Sequence, residues 1–129
     1  MNKRGMVMKT ILIIEDNADN RTLLKDLLEI KGYQVLEAGD SEAGLRIARE
    51  QKPDLVLMDI QMPGVTGLTV IRELKSEQKT KEIKILAVTS FAMSEDKERI
   101  LGAGCDGYVT KPISTRELPA LIGEMLGEG

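Results

Sequence analysis

The sequence predicts an α/β fold: a five-stranded parallel sheet with helices on both faces. Three observations carry that prediction. Short apolar runs alternate with stretches of helical period along the whole chain, and turn-forming Gly, Pro, Asn and Asp separate them. The purest run, Leu55-Val56-Leu57-Met58, has no polar residue on either side of its alternation and reads as a strand buried on both faces. Strands that alternate with helices close into a parallel sheet through right-handed crossovers.

The elements follow in order. Residues 1–8 read as a disordered or frayed lead-in. Thr10–Ile14 is a β-branched first strand, running into Glu15-Asp16-Asn17. From about Ala18 to Lys31, Leu23 with Leu27 and Leu24 with Leu28 repeat at helical spacing, and Gly32 supplies the stop. Tyr33–Ala38 is a second, less apolar strand. Asp40 and Ser41 offer N-cap chemistry for a helix through Gln51, with Leu45 and Ala48 facing inward. Pro53 closes that helix before the third strand, Leu55–Asp59. Gly67–Glu77 is a third helix on the stripe Val70, Ile71 and Leu74.

Ile83–Val88 is the fourth strand, ending at Thr89. A helix from about Ser94 to Gly102 carries Glu95 and Asp96 in its first turn, where the dipole favours acids. Asp106–Thr110 is a short fifth strand. Ser114-Thr115-Arg116-Glu117 is a capping box opening a last helix, with Leu118, Leu121, Ile122 and Met125 as its stripe. Pro119 is tolerated only in a first turn, so this helix starts late or bends.

Composition bounds the function. With 129 residues, 42% apolar and 30% charged, the chain suits one ordinary globular domain. Its net charge of -3 argues against non-specific nucleic-acid binding. No apolar run approaches the roughly 18 residues of a membrane span. A single cysteine, Cys105, rules out an internal disulfide and fits a reducing, cytoplasmic setting. Histidine is absent, which removes His acid–base catalysis, His metal ligands and phosphohistidine on this chain.

The chemistry gathers at strand ends. Ligands of open parallel sheets bind beyond the carboxyl ends of the strands, where strand order reverses. With the order 2-1-3-4-5, taken over from known doubly wound folds, strands one and three are neighbours at that point and Glu15, Asp16 and Asp59 converge. Three close carboxylates repel unless a cation enters or their pKa values rise. Carboxylate oxygens completed by water are what Mg²⁺ prefers. Taken singly the residues are ordinary: an acidic loop start at Glu15-Asp16, a loop-opening Asp59, a solvated Lys111. Together with Thr89 they end four strands, and that coincidence marks a site.

On I-L-I-I-E-D-N, D-L-V-L-M-D-I-Q-M-P-G-V-T-G, A-V-T-S-F-A and G-Y-V-T-K-P, in that order, the chain resembles the receiver domains of two-component response regulators. The resemblance runs from about Lys9 to the C-terminus and is similar to the single-domain class. It implies one receiver domain over residues 9–127 with no output domain. It implies that Asp59 is the phosphoacceptor, charged by a histidine kinase or a histidine phosphotransfer protein. Mg²⁺ would be held by Asp16 and Asp59, by the backbone carbonyl of Gln61, and by Glu15 through water. Lys111 would pair with Asp59 and then with a phosphate oxygen, and its bond to Pro112 is expected to be cis. Thr89 and Tyr108 would form the switch pair; Gln61 and Phe91 would tune a slow self-dephosphorylation.

Such a chain is a phosphoacceptor signalling protein rather than an enzyme. A downstream protein would dock on the face of the fourth helix, fifth strand and last helix, which could also form a phosphorylation-dependent homodimer. No nucleic acid and no membrane enter. An alternative is a receiver module detached from a hybrid kinase or larger regulator. Another is a receiver with a purely structural role. A flavodoxin-like nucleotide binder needs a Ser/Thr/Gly loop after the first strand, where this chain has Glu15-Asp16-Asn17-Ala18-Asp19. An aspartyl-phosphate phosphatase would carry a second acid where Ala18 stands.

Overall fold

A computed structural model describes residues 8–61, 67–90 and 94–127. Its elements are β1 (Thr10–Ile14), α1 (Ala18–Ile30), β2 (Gln34–Ala38), α2 (Ser41–Gln51), β3 (Leu55–Asp59), α3 (Gly67–Ser76), β4 (Lys84–Thr89), α4 (Ser94–Gly102), β5 (Gly107–Thr110) and α5 (Glu117–Met125). The strands are all parallel in the order β2-β1-β3-β4-β5, as expected.

Strand alternation divides the core in two. Leu12, Ile14, Val56, Met58, Ile85 and Ala87 face α2, α3 and α4, meeting Ala48, Val70, Ile71, Leu74 and Ile100. Ile11, Ile13, Leu55, Leu57, Leu86 and Val88 face α1 and α5, meeting Leu24, Leu28, Leu118 and Ile122. Each fully buried Leu or Ile contributes roughly 1.5–3 kcal/mol relative to exposure, so the central strands β1 and β3 hold the sheet. Leu24 and Leu28 take the inward face of α1, whereas Leu23 is exposed.

Several boundaries shift by a residue from those the sequence predicts. β2 opens at Gln34, although Tyr33 is buried in the α1–α5 layer. α1 ends at Ile30 because Lys31 N turns back to Leu28 O and Gly32 takes φ 96. α3 ends at Ser76, whose hydroxyl donates to Glu73 O. β4 begins at Lys84 and β5 at Gly107, since Asp106 uses its carboxylate to accept Ile85 N at 2.8 Å. α5 starts late, as Pro119 demands. Ser114 Oγ accepts Glu117 N at 3.0 Å, but Ser114 is not the cap expected of it: the N-cap is Arg116, which makes no side-chain cap bond.

The register brings the site together. Ile14 lies beside Met58 and Asp59 beside Val88, while Thr89 lies beside Thr110. Glu15, Asp59, Thr89 and Lys111 therefore leave the sheet along one edge. There α3 approaches very closely: a Cβ on Gly67 would lie 2.5 Å from Ile60 Cα.

Candidate functional site

At the end of β1, Glu15 keeps its N–H in the ladder to Ala38 O at 3.0 Å while its side chain turns inward, 4% exposed. Its Oε2 accepts Asn17 N at 3.0 Å, and Asn17 Oδ1 in turn caps α1 by accepting Asn20 N at 2.9 Å. Arg21, one turn into α1, donates to Glu15 O at 2.8 Å and pairs with Glu37 at 3.4 Å. Sequence reasoning did not single out Arg21. Its signal is position: four residues after the cap, it faces back over the strand ends.

Asp59 closes β3, the most buried strand, and is itself 4% exposed. Its Oδ1 accepts Gln61 N at 2.9 Å and its Oδ2 accepts Lys111 Nζ at 3.1 Å. Lys111 follows β5 directly; its N–H donates to Thr89 O at 2.8 Å, and its bond to Pro112 is cis. Thr89 is fully buried. Asp16 is exposed at the mouth, and Glu15, Asp16 and Asp59 each bring one carboxylate oxygen within 4.8 Å of the others.

The electrostatics are unbalanced. Among the described residues, two buried acids and one exposed acid face a single lysine, Lys111. Burial pushes Glu15 up to about 7; the neighbouring Asp59 charge and a hydrogen bond shared with it push the same way, against Asn17 N–H and Lys111. An all-oxygen donor set, open on one side and carrying excess negative charge, fits a small hard divalent cation.

Tyr108 stands apart from the acids. Pairing of Ala87 with Tyr108 and of Thr89 with Thr110 puts Tyr108 on the same sheet face as Thr89. Its half-buried ring packs with the α2–α4 layer, and Lys97 Nζ lies 5.8 Å from the ring centroid. Gln61 sits beside Asp59, but its side chain does something spacing could not show: Oε1 accepts Ser90 N at 2.6 Å. Phe91 lies outside the described residues.

Known proteins resemble this chain in sequence and in fold. Residues 11–123 match the model of the response regulator receiver domain. The polar-differentiation response regulator DivK of Brucella anthropi is 43% identical over 120 residues, covering 93% of this chain and 98% of that protein. The receiver domain of the sensor histidine kinase PA1611 from Pseudomonas aeruginosa superposes with a TM-score of 0.85 at 31% identity, covering 94% of this chain and 99% of that one. That structure holds a magnesium ion in its active-site cleft. A CheY-like receiver domain protein from Methanospirillum hungatei gives a TM-score of 0.87 at 31% identity, covering 95% and 96%. Among the described residues no helix is long and apolar enough to cross a membrane.

Proposed function

Since the chain belongs to the response regulator receiver domain family, we propose that it is a signalling switch in which Asp59 is the residue phosphorylated. The observation that carries this is the setting of Asp59: a buried carboxylate with one oxygen on Lys111 Nζ and the other on Gln61 N, facing Glu15 and Asp16. An Asp59 oxygen attacks phosphorus on the phosphohistidine of a histidine kinase or phosphotransfer protein. The new O–P bond forms as the P–N bond breaks, and the leaving imidazole takes a proton from solvent. Asp16, Asp59 and the Gln61 carbonyl, with Glu15 through water, would hold Mg²⁺, which when bound offsets phosphoryl charge and orients in-line transfer.

The chain's own groups do the rest. Lys111 holds Asp59 in place before transfer and then follows the new charge to a phosphoryl oxygen. Acquiring roughly -1.5 to -2 charges and three acceptors draws the Thr89 hydroxyl across from the neighbouring strand. Tyr108, on the same sheet face, turns inward behind it. The surface of α4, β5 and α5 then presents a changed face to a downstream protein or to a second copy of the chain. As the resemblance implies, Gln61 and Phe91 tune self-dephosphorylation and keep it slow. The protein is a signalling component rather than a classical enzyme, working in the cytoplasm without touching nucleic acid or membrane.

Intact-mass measurement after Mg²⁺ and a small phosphodonor tests the reading. The wild type should gain one phosphoryl group and Asp59→Asn none. The same gain in Asp59→Asn would remove Asp59 from this role.

A further inference from the structure

The ladder between β3 and β4 runs through the pair Asp59–Val88, and its last main-chain rung among the described residues is Ile60 N donating to Val88 O at 3.1 Å. Bonds in a parallel pair pass alternately from one strand to the other, so the next donor in line is Ser90 N–H. That N–H goes to a side chain instead, reaching Gln61 Oε1 at 2.6 Å. Behind it Thr89 O still accepts Lys111 N at 2.8 Å, so the peptide leaving β4 is held from both sides. Gln61 is anchored in turn by its own N–H on Asp59 Oδ1 at 2.9 Å. A continuous line of bonds thus joins Asp59 to the first residue beyond β4.

We propose that Gln61 is a positioning residue that latches the segment after β4: its amide oxygen replaces the missing main-chain acceptor and holds Ser90, and with it Thr89, in the resting arrangement. Movement of Thr89 towards a phosphorylated Asp59 then requires this side-chain rung to open, whereas the neighbouring main-chain rungs can stay. A side chain can leave by rotating about its own bonds; a strand carbonyl cannot. The latch therefore sets how far the resting form is favoured, and a ligand shifts that balance only by its differential affinity for the two forms. Its net strength is that of one hydrogen bond, which corresponds to roughly two- to tenfold in an equilibrium.

Gln61→Met keeps the length and loses the acceptor; Gln61→Glu keeps an acceptor oxygen. In full-length protein without Mg²⁺, Ser90 amide exchange should speed up roughly two- to tenfold in Gln61→Met and stay near wild type in Gln61→Glu. With Mg²⁺ and beryllofluoride, Gln61→Met should reach half-saturation at a correspondingly lower fluoride-complex concentration. Unchanged Ser90 exchange in Gln61→Met would overturn the latch. Faster exchange with unchanged beryllofluoride response would overturn its coupling to the switch. The second arm rests on Asp59 being the phosphoacceptor, and failure of that reading would show separately, as no beryllofluoride response in the wild type. The exchange arm judges the latch in either case.

Discussion

The two edges of the sheet carry acids of the same kind and use them in opposite ways. At the edge where strands begin, Asp54 accepts Thr10 N at 2.8 Å, and Asp106 accepts both Ile85 N at 2.8 Å and Lys75 Nζ at 2.8 Å. Lys75 also donates to Ile83 O at 2.8 Å. Each of these acids finishes a ladder or meets a cation. At the edge where strands end, Glu15, Asp16 and Asp59 share one lysine. The first edge spends its carboxylates on the fold. The second leaves negative charge uncompensated inside the protein, a state that a cation would resolve.

Breaking the second edge should have the largest consequences. Lys111→Met removes the only charged donor that the described residues place on Asp59. Phosphoryl uptake should then fall by roughly 10²- to 10³-fold, the loss typical of one preorganised transition-state donor. Stopped-flow uptake from a small phosphodonor measures it, and a loss below tenfold would contradict Lys111's place in the transfer.

The next effect is on stability, and its sign follows from Glu15. Below about pH 4.5 the folded and unfolded chains both hold its proton. Between there and about 7 the unfolded chain ionises while the folded one keeps the proton, so metal-free protein loses stability as pH rises through that window. The loss is on the order of 3 kcal/mol from this group, and above about 7 it stays constant. Saturating Mg²⁺ should flatten the profile by stabilising the ionised form. Glu15→Gln should remove the pH-dependent loss and weaken Mg²⁺ binding together. Urea midpoints from pH 5 to 8, with and without Mg²⁺, read both.

At the second edge, Gly67→Ala probes the close approach of the start of α3 to Ile60, the residue after Asp59. With Ile60 Cα only 2.5 Å from the new methyl, backbone must shift. The expected cost is about 1–3 kcal/mol, with slower phosphoryl uptake because Asp59 is the neighbour of Ile60. Loss of stability without any change in uptake would show that the approach is structural alone.

The difference between the edges also explains what was legible beforehand. The strand order came from a known fold class, but the elements came from local pattern: Leu55–Met58 is unbroken, and the Leu24/Leu28 stripe is periodic. The candidate site residues were readable because Glu15-Asp16, Asp59 and Lys111 sit at strand ends next to apolar runs that fix their position. What sequence did not show are the contacts made by side chains that replace main-chain partners. Asp106 taking Ile85 N moved the start of β5. Gln61 taking Ser90 N linked two loops that lie 29 residues apart. Arg21 tied β1 to β2 through Glu15 O and Glu37. None of these has a period or motif; each depends on which strand ends become neighbours.

Asp106→Ala is the mirror of Glu15→Gln and tests whether the edges are independent. It strips an acceptor from Ile85 N and leaves Lys75, 19% exposed, without its carboxylate, though Lys75 keeps Ile83 O. Most of the loss is the main-chain bond, because a partly exposed ion pair adds little; the expected destabilisation is about 1–2 kcal/mol. Mg²⁺ affinity and phosphoryl uptake should not change, since no bond described for Asp106 reaches Asp59, Lys111 or Thr89. Glu15→Gln should do the reverse above pH 7, raising metal-free stability while weakening Mg²⁺ binding. If Asp106→Ala also weakened Mg²⁺ binding, β4 would be transmitting strain from one edge to the other, and the division between fold-holding and function-holding acids would fail.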